Sequence, residues 1–302
     1  MKKIICIADT HFPLDYESKS LFQRHMDRIG VTKAHKLHKR LTASTAQANM
    51  LTYYYLNQHH ADLLIHLGDV TNGRQEQGIR GACAFNTVQY HTQAWRQICP
   101  RIHFCLGGHD TGYSHRGSLP GSGINTESFQ NCQEIFGDLW WMEQCEGVSL
   151  FGICSPLANY LGNDGTLEAL REQQENFLHE AKDRISGKPW ILFAHDPFLP
   201  RIVSRLFHHQ LLNCQAFIHG HWHNPKFTRM FRALGTVFNN PLLQISHTCP
   251  SVAPLWWKGC GMMKVVIDGE NVKISNQLLD VPPETACLPT TSFLRCLWWK
   301  FR

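Results

Sequence analysis

Five short motifs along the chain combine carboxylate and imidazole side chains, which are common ligands of divalent metals in hydrolytic sites. They are Asp9-Thr10-His11, Gly68-Asp69, Gly107-Gly108-His109-Asp110, His195-Asp196 and Gly220-His221-Trp222-His223. These ligand types suit Mn, Fe, Zn or Ni, and no thiol lies within the motifs. Two such metals about 3.5–4 Å apart, bridged by one carboxylate, lower the pKa of a shared water and bind phosphoryl oxygens. The residue types therefore indicate hydrolysis of a phosphate ester or a pyrophosphate.

Each motif alone is weak support for a metal site, because Asp-x-His pairs occur by chance and Gly-Asp pairs more often form turns. The last motif is more specific, since two imidazoles at this spacing on a turn can face one metal. The order of the motifs is the stronger observation, because each follows its own predicted strand. Side chains at the carboxyl ends of strands in α/β sheets lie along one edge. The five motifs are therefore predicted to converge on one site.

Short apolar runs alternating with helical stretches predict the elements that position these motifs. Strands are predicted at Lys3–Ala8, Asp62–Leu67, Arg101–Leu106, Val148–Cys154, Trp190–Ala194, Ala216–His219, Leu242–His247, Met262–Asp268 and Val272–Leu279. Helices are predicted at Thr45–Gln58, Thr87–Ile98, Glu127–Phe136, Leu167–Ile185 and Arg201–Leu212. Apolar runs without alternation are typical of strands covered on both faces. We therefore expect an α/β fold with two packed sheets and helices outside them.

The composition is that of an ordinary globular protein, with 43% hydrophobic and 18% charged residues among 302. The net charge of +5 suits an anionic substrate or membrane surface, but it is smaller than that of a typical nucleic-acid-binding protein. No apolar segment is long enough for a signal peptide or a membrane span, and the 12 cysteines contain no CxxC pair. We expect a reduced, cytoplasmic protein in which Cys6, Cys105 and Cys154 are small buried hydrophobes.

The combined motifs resemble those of the calcineurin-like metallophosphoesterases. The resemblance covers about residues 1–280 and sets the segment 281–302 apart as a tail. It implies a four-layer α/β/β/α sandwich of two mixed sheets with a dinuclear metal site at one edge. Mn is the metal that we expect first, with Fe, Zn or Ni as alternatives.

The resemblance also implies a role for each motif residue. Six side chains would bind two metals: Asp9, His11 and His223 the first, Asp69 as the bridge, and His195 and His221 the second. His109, held by Asp110, would stabilise the transition state or protonate the leaving oxygen. Asp196 would either orient His195 or cap the turn before Pro197.

One position departs from the family pattern. The third motif is normally Gly-Asn-His, and its Asn carboxamide binds the second metal, whereas this chain has Gly108 there. A water or a nearby side chain such as Asn72 would fill the position, or the second metal would bind weakly and arrive with substrate. Alternatively, catalysis has been lost and the fold serves as a scaffold for partner proteins. We favour retained activity, because the other ligands and the His109-Asp110 pair are intact.

Four cationic or imidazole side chains near the motifs are candidates for binding a substrate phosphate. Arg74 and Arg80 follow the second motif, and His115 and Arg116 lie in the Gly-rich stretch after the third. The alternative for each of them is a solvated loop position. A nuclease is a weaker hypothesis, because no basic tract with interleaved aromatic residues surrounds the motifs.

The tail ends in Trp298-Trp299-Lys300-Phe301-Arg302, which mixes aromatic and cationic side chains. This composition suits peripheral contact with the inner face of a membrane, and Trp256-Trp257-Lys258 would extend such a surface. The alternative is that the tail packs over an apolar groove. Membrane contact would favour a lipid-linked substrate like that of the UDP-diacylglucosamine pyrophosphatases within this family. The oligomeric state stays open.

Overall fold

The computed structural model describes residues 1–12, 30–71, 78–112, 124–185, 187–199, 201–253 and 260–279. Several residues singled out in the sequence lie outside this part of the chain. These are Asn72, Arg74, His115, Arg116, Trp256, Trp257, Lys258 and the tail 281–302. Within the described residues, no helix combines the length and the apolar content needed to cross a bilayer.

The strands and helices alternate along most of the described chain. The strands are β1 Lys2–Ile7, β2 Leu63–His66, β3 Ile102–Phe104, β4 Trp141–Cys145, β5 Val148–Gly152, β6 Trp190–Ala194, β7 Cys214–His219, β8 Ser246–Thr248, β9 Cys260–Asp268 and β10 Asn271–Leu279. The helices are α1 Val31–Gln58, α2 Gly81–Ile98, α3 Gly108–Thr111, α4 Thr126–Phe136, α5 Ser155–Ala158, α6 Gly165–Arg184, α7 Arg201–Leu206, α8 Phe227–Val237 and α9 Pro241–Gln244, with a 3-10 helix at His208–Asn213.

The strands form two mixed five-stranded sheets. The first has the order β10-β9-β1-β2-β3, with β1, β2 and β3 parallel and β9 and β10 antiparallel. The second has the order β4-β5-β6-β7-β8, in which only β4 is antiparallel to its neighbour. Parallel pairing aligns the carboxyl ends of β1, β2 and β3, and likewise those of β5 to β8.

Three apolar clusters hold the layers together. The cluster between the sheets joins Ile4 and Ile65 of the first sheet to Ile191 and Ile218 of the second. A second cluster packs α1, α2 and α4 on the outer face of the first sheet. A third packs α6, α7 and α9 on the outer face of the second. The predicted α/β/β/α sandwich is confirmed, and β2 and β6 are buried along their whole length as their apolar runs predicted.

Several predicted boundaries were wrong. Residues 242–247 do not form one strand: Pro241 begins α9, Asn240 caps it by accepting a hydrogen bond from the Leu243 N–H, and the strand starts only at Ser246. The predicted helix Arg201–Leu212 ends at Leu206 and is followed by a 3-10 helix. Helix α1 starts at Val31 rather than at Thr45, and α2 starts at Gly81 rather than at Thr87.

Among the elements longer than four residues, two were not predicted from the sequence. Strand β4 is an edge strand whose Glu143 and Gln144 break the apolar pattern. Helix α8 contains Gly235, which reads as a helix breaker. The structure shows why glycine is present: a Cβ at Gly235 would lie 2.6 Å from the Gln244 nitrogen of α9. Close packing of two helices therefore outweighs the low helix propensity of this residue.

Candidate metal centre

The motif side chains come together at one edge of the two sheets, in the loops after β1, β2, β3, β6 and β7. Asp9 and His11 follow β1, and Asp69 follows β2. His195 follows β6 directly, and His221 lies two residues after β7. The main chains of the first two loops are hydrogen bonded, with the Asp9 N–H donating to the Gly68 carbonyl at 3.0 Å.

Most of these side chains sit on a backbone in the left-handed region, which is unfavourable for residues with a Cβ. Five candidate ligands have φ between 44° and 66°: Asp9, His11, Asp69, His221 and His223. Among the described residues, only Glu146 and Asn239 are other non-glycine residues with positive φ. Such strain persists where the surroundings enforce it, and it is concentrated at functional sites. The sequence alone contains no signal for these conformations.

One group of donor atoms consists of Asp9, His11 and His223, whose ligand atoms lie within 4.8 Å of one another. The Asp9 Oδ1 lies 3.6 Å from His223 Nε2 and 3.9 Å from His11 Nε2. The other ring nitrogens are hydrogen bonded, His11 Nδ1 to the Thr71 carbonyl and His223 Nδ1 to the Ser251 hydroxyl. Each ring therefore directs its Nε2 towards Asp9.

His11 Nε2 is buried and has no hydrogen-bond partner among the described residues. Leaving a buried polar nitrogen unsatisfied costs free energy, so such atoms usually have a partner. Two carboxylates surround this nitrogen at 3.9–4.0 Å, Asp9 and Asp69, which leaves room for a shared cation. The donor set therefore fits a divalent metal.

A second group consists of Asp69, His195 and His221, also within 4.8 Å of one another. His195 Nε2 lies 3.2 Å from Asp69 Oδ2 and 3.2 Å from His221 Nδ1. Ligand atoms about 2.1 Å from one metal and at right angles to each other are about 3 Å apart. The spacing in this group matches that of ligands around a single metal.

Asp69 lies between the two groups. Its Oδ2 is 3.2 Å from His195 Nε2 and 4.0 Å from His11 Nε2, so one carboxylate faces ligands of both groups. Gly107 makes this position accessible, because a Cβ there would collide with the Asp69 carboxylate and approach the Asp69 nitrogen to 2.6 Å. Gly107 belongs to the third motif, but this steric role could not be inferred from the motif itself.

Asp110 is buried, and its carboxylate accepts three backbone hydrogen bonds. The donors are the N–H groups of Asp69 at 2.8 Å, Val70 at 2.9 Å and Gly107 at 2.9 Å. These bonds tie the second and third loops together and position Asp69. The resemblance had assigned Asp110 to hold His109, whereas the bonds of its carboxylate are to the main chain around Asp69.

His109 lies at the rim of the centre, with 16% of its side chain exposed. Its backbone N–H donates to Asp69 Oδ1 at 2.9 Å, and its Nε2 lies 4.0 Å from Asp69 Oδ2. Gly108, the residue before it, is buried at the start of α3. The ring of His109 is therefore beside the Asp69 carboxylate, and its donor atom forms a third group with those of His11 and Asp69.

The contacts of His195 and Asp196 decide between the two roles proposed for Asp196. His195 Nδ1 is 2.7 Å from the Leu67 carbonyl, which orients the ring. Asp196 Oδ1 accepts a hydrogen bond from the Phe198 N–H at 2.9 Å, so its carboxylate caps the turn around Pro197. The Leu67 carbonyl, on the first sheet, thus holds the ring of His195, a candidate ligand on the second sheet.

His66, which belongs to none of the five motifs, takes part in the hydrogen bonding of the site. Its Nδ1 accepts a hydrogen bond from the Gly68 N–H, so its Nε2 carries the proton and donates to the Thr10 hydroxyl. The Thr10 hydroxyl in turn donates to the Val70 carbonyl. This buried chain of bonds connects the first two metal-site loops.

Burial has the largest effect on the pKa values of Asp9, His11 and His223. Burial raises the pKa of Asp9 to about 8, against the attraction of His195 and with further repulsion from Asp69. Burial lowers the pKa of His223 to about 3 and holds that of His11 well below its usual range. Closely spaced buried carboxylates next to the uncharged imidazoles of His11 and His223 are stabilised by a cation between them.

Arg80 is exposed, and its Nε donates to Glu127 Oε2 at 3.0 Å. This places Arg80 in a surface ion pair, which is the solvated position expected if it does not bind substrate. Its role in substrate binding stays a prediction, as do those of Arg74, His115 and Arg116 outside the described residues.

Solved structures of other proteins are similar to this chain. A dimetal phosphatase structure from Danio rerio covers 93% of this chain and 98% of its own, at 11% identity and a TM-score of 0.52. Vps29 structures from Cryptosporidium parvum and Entamoeba histolytica (the latter a double mutant) each cover 92% of this chain. They cover 98% and 99% of their own chains, at 9% and 10% identity and TM-scores of 0.29 and 0.30.

No curated protein sequence matches the chain significantly. Residues 2–225, however, match the family model of the calcineurin-like phosphoesterases. This match covers most of the chain and includes all five motifs. The chain therefore belongs to the calcineurin-like phosphoesterase family.

Proposed function

We propose that this protein is a metal-dependent hydrolase that cleaves a phosphate ester, a phosphodiester or a pyrophosphate. The observation that carries the proposal is the position of Asp69. It shares one donor group with His195 and His221 and another with His11, which also belongs to the group of Asp9 and His223. When bound, two divalent metals supply a water of lowered pKa and neutralise the phosphoryl oxygens. Mn is the first metal to test, with Fe, Zn and Ni as alternatives.

The side chains divide this work between them. Asp9, His11 and His223 would hold one metal, and His195 and His221 would hold the other. Asp69 would bridge the two, because its Oδ2 faces ligands of both groups.

His109 lies near Asp69 but is partly exposed at the rim, whereas the ligands His11, His195 and His223 are buried. An imidazole there can approach a substrate held over the metals and give a proton to the leaving oxygen. Asp110 would act through Asp69, by fixing the backbone that carries the bridging carboxylate.

The rival function is a scaffold that binds partner proteins without turnover, since Gly108 lacks the carboxamide of the family motif. An aryl phosphodiester assay with added Mn²⁺, combined with elemental analysis, separates the two. We expect turnover that is lost in Asp69→Asn and kept in Asp183→Asn, a matched change on the exposed face of α6. Absence of turnover with any divalent metal, together with no bound metal, would establish the scaffold instead.

The position of Gly108 gives a separate prediction. Gly108 begins α3 with helical backbone geometry, which an Asn can also adopt. Gly108→Asn is therefore expected to lower the dissociation constant of the second metal, by roughly tenfold for one added ligand. Isothermal titration with Mn²⁺ measures this. An unchanged affinity would show that another group, such as Asn72 or a water, already fills the position.

The substrate class stays open within this proposal. The lipid-linked pyrophosphate is one alternative, and it depends on contact between the protein and a membrane. Phosphomonoesters and phosphodiesters need no such contact.

A further inference from the structure

The positive charge of this chain is unevenly distributed. Between Pro197 and Ile267 there are seven Lys or Arg residues and no Asp or Glu. The rest of the chain has 22 Lys or Arg and 24 Asp or Glu residues. The net excess of positive charge therefore comes entirely from this one stretch, which contains α7, the 3-10 helix, α8 and α9.

These helices lie together on the outer face of the second sheet. The connections from β5 to β6, from β6 to β7 and from β7 to β8 are all crossovers between parallel neighbours. Such crossovers have the same hand, so their helices lie side by side on one face. Helix α6 is in the first connection, α7 and the 3-10 helix are in the second, and α8 and α9 are in the third.

Three cations of the stretch, Arg205, Lys226 and Arg229, have exposed side chains. None of the ion pairs among the described residues includes any of them. His208 and His209 are also exposed there. Arg232 differs, since it is bonded to the Ser246 carbonyl and to His247. The outer surface of this layer therefore carries positive charge that no acidic residue of the same stretch can neutralise.

Large apolar side chains are exposed on the same layer. Leu212 at the end of the 3-10 helix is 94% exposed. Val237 and Phe238 at the end of α8 are 75% and 52% exposed. Exposed cations and exposed apolar side chains on one layer are the composition of surfaces that lie in the membrane interface.

Helix α6 provides an internal comparison, because it covers the same face of the same sheet. It contains acidic and basic residues together, and its Arg171–Glu175 and Arg184–Glu180 pairs are of the i,i+4 type. The uncompensated charge is thus a property of the α7–α8 side, not of the helical layer as a whole.

We propose that the α7–α8 face, defined by Arg205, Leu212, Lys226, Arg229 and Phe238, docks this protein onto an anionic lipid surface. The cations would be attracted to acidic headgroups, and Leu212 and Phe238 would enter the interface. A nucleic acid is the less suitable partner, because single strands are bound through stacked aromatic platforms and two of the three exposed apolar side chains are aliphatic.

The face begins at the metal centre. Phe198 and Trp222 come shortly after the candidate ligands His195 and His221, and their rings are 6.2 Å apart. Both belong to the apolar cluster around Phe231 of α8. Lys226 follows the candidate ligand His223 by three residues, so this end of the face lies near the edge that carries the donor groups. The docking proposal does not depend on the proposed hydrolase activity.

Cosedimentation of the full chain with vesicles tests the proposal. We expect binding to phosphatidylcholine–phosphatidylglycerol vesicles that weakens as salt is raised, and no binding to pure phosphatidylcholine. Arg205→Glu with Arg229→Glu should weaken binding at least about tenfold, because two attractive charges become repulsive. Arg184→Glu with Lys188→Glu makes the same change of charge at exposed positions at and just after the end of α6, and it should leave binding within about twofold.

Two further measurements keep the result interpretable. Circular dichroism and thermal melting should match between the two double variants, so that a loss of binding is not a loss of fold. Trp298→Ser with Trp299→Ser in the full chain measures the contribution of the tail.

The proposal is overturned by any of three results. The first is the absence of binding to anionic vesicles, which includes the case in which the protein binds an oligonucleotide but no vesicles. The second is an equal loss in both charge-reversal variants. The third is a loss of binding in the tail variant together with normal binding in Arg205→Glu with Arg229→Glu. None of these measurements uses turnover, so failure here is distinct from failure of the hydrolase proposal.

Discussion

The two sheets contribute different chemistry to the metal centre. The first sheet carries both carboxylates, Asp9 and Asp69, together with His11, whereas the second contributes only imidazoles. Two donor groups combine residues of both sheets: Asp9 and His11 with His223 in one, and Asp69 with His195 and His221 in the other. The first sheet alone holds only the group of His11, Asp69 and His109. Packing of the sheets is therefore a condition for completing the two proposed metal sites.

Hydrogen bonds between the loops of the two sheets hold the two sets of candidate ligands in position relative to each other. The His221 N–H donates to the Asp9 carboxylate at 3.1–3.2 Å, and His195 Nδ1 bonds to the Leu67 carbonyl. The Val252 N–H donates to the Ala8 carbonyl at 2.9 Å. The first sheet thus supplies the negative charge, and it also orients ligands of the second.

The largest expected difference between a variant of the first sheet and a variant of the second is in metal stoichiometry. Asp69→Asn removes the carboxylate shared by both groups, so we expect both metals to bind weakly and kcat/KM to fall roughly 10⁴-fold. His223→Ala removes a ligand of one group and should leave one metal bound. Elemental analysis with steady-state kinetics measures both effects. Equal stoichiometry in the two variants would contradict the bridging position of Asp69.

His109 belongs to the first sheet but is expected to act on the substrate rather than on the metals. His109→Ala should lower kcat about 10²- to 10⁴-fold for substrates with poor leaving groups and much less for aryl esters. Metal content should stay as in the unmodified protein. Equal losses for good and poor leaving groups would argue against proton donation and would leave a purely electrostatic role.

Two motif glycines, one from each sheet, provide a matched steric comparison. Gly107→Ala would force a Cβ against the Asp69 carboxylate, and we expect turnover to fall roughly 10²-fold because the bridge is displaced. At Gly220, the nearest atoms to an added Cβ are 3.1 Å away on Ala8 and 3.2 Å away on Asp9. Gly220→Ala should therefore cost about tenfold or less. Kinetics at saturating Mn²⁺ would show the order, and the reverse order would refute the close approach at Gly107.

A further effect is expected at Ser251, which contacts a candidate ligand without binding a metal itself. Ser251→Ala removes the hydroxyl bonded to His223 Nδ1 at 2.9 Å, and the affinity for the first metal should fall about 10- to 100-fold. Ser246→Ala is the control, because this buried hydroxyl has no partner among the described residues and its loss leaves no donor unsatisfied. Metal titration should separate the two variants. A similar change in both would mean that Ser251 acts through packing alone.

Much of this centre could be predicted from residue types and their spacing. The order of carboxylate and imidazole groups, each after an apolar run, predicted that five loops meet at one edge, because parallel strands end together. The apolar runs of β2 and β6 also predicted strands covered on both faces, because apolar runs without alternation are typical of such strands. Elements were missed where tertiary contacts outweighed local preference, as at Gly235 in α8 and in the polar edge strand β4.

The sequence by itself determined the ligand types, their order along the chain and the concentration of positive charge between Pro197 and Ile267. These are properties of composition and spacing, and they need no coordinates. Only the tertiary structure decided that Asp69 lies between the two donor groups and that Asp110 holds the backbone around it. It also decided that Asp9 and His11 take left-handed backbone conformations. The reason is physical: such geometry depends on contacts between residues far apart in the chain, which local propensity does not encode.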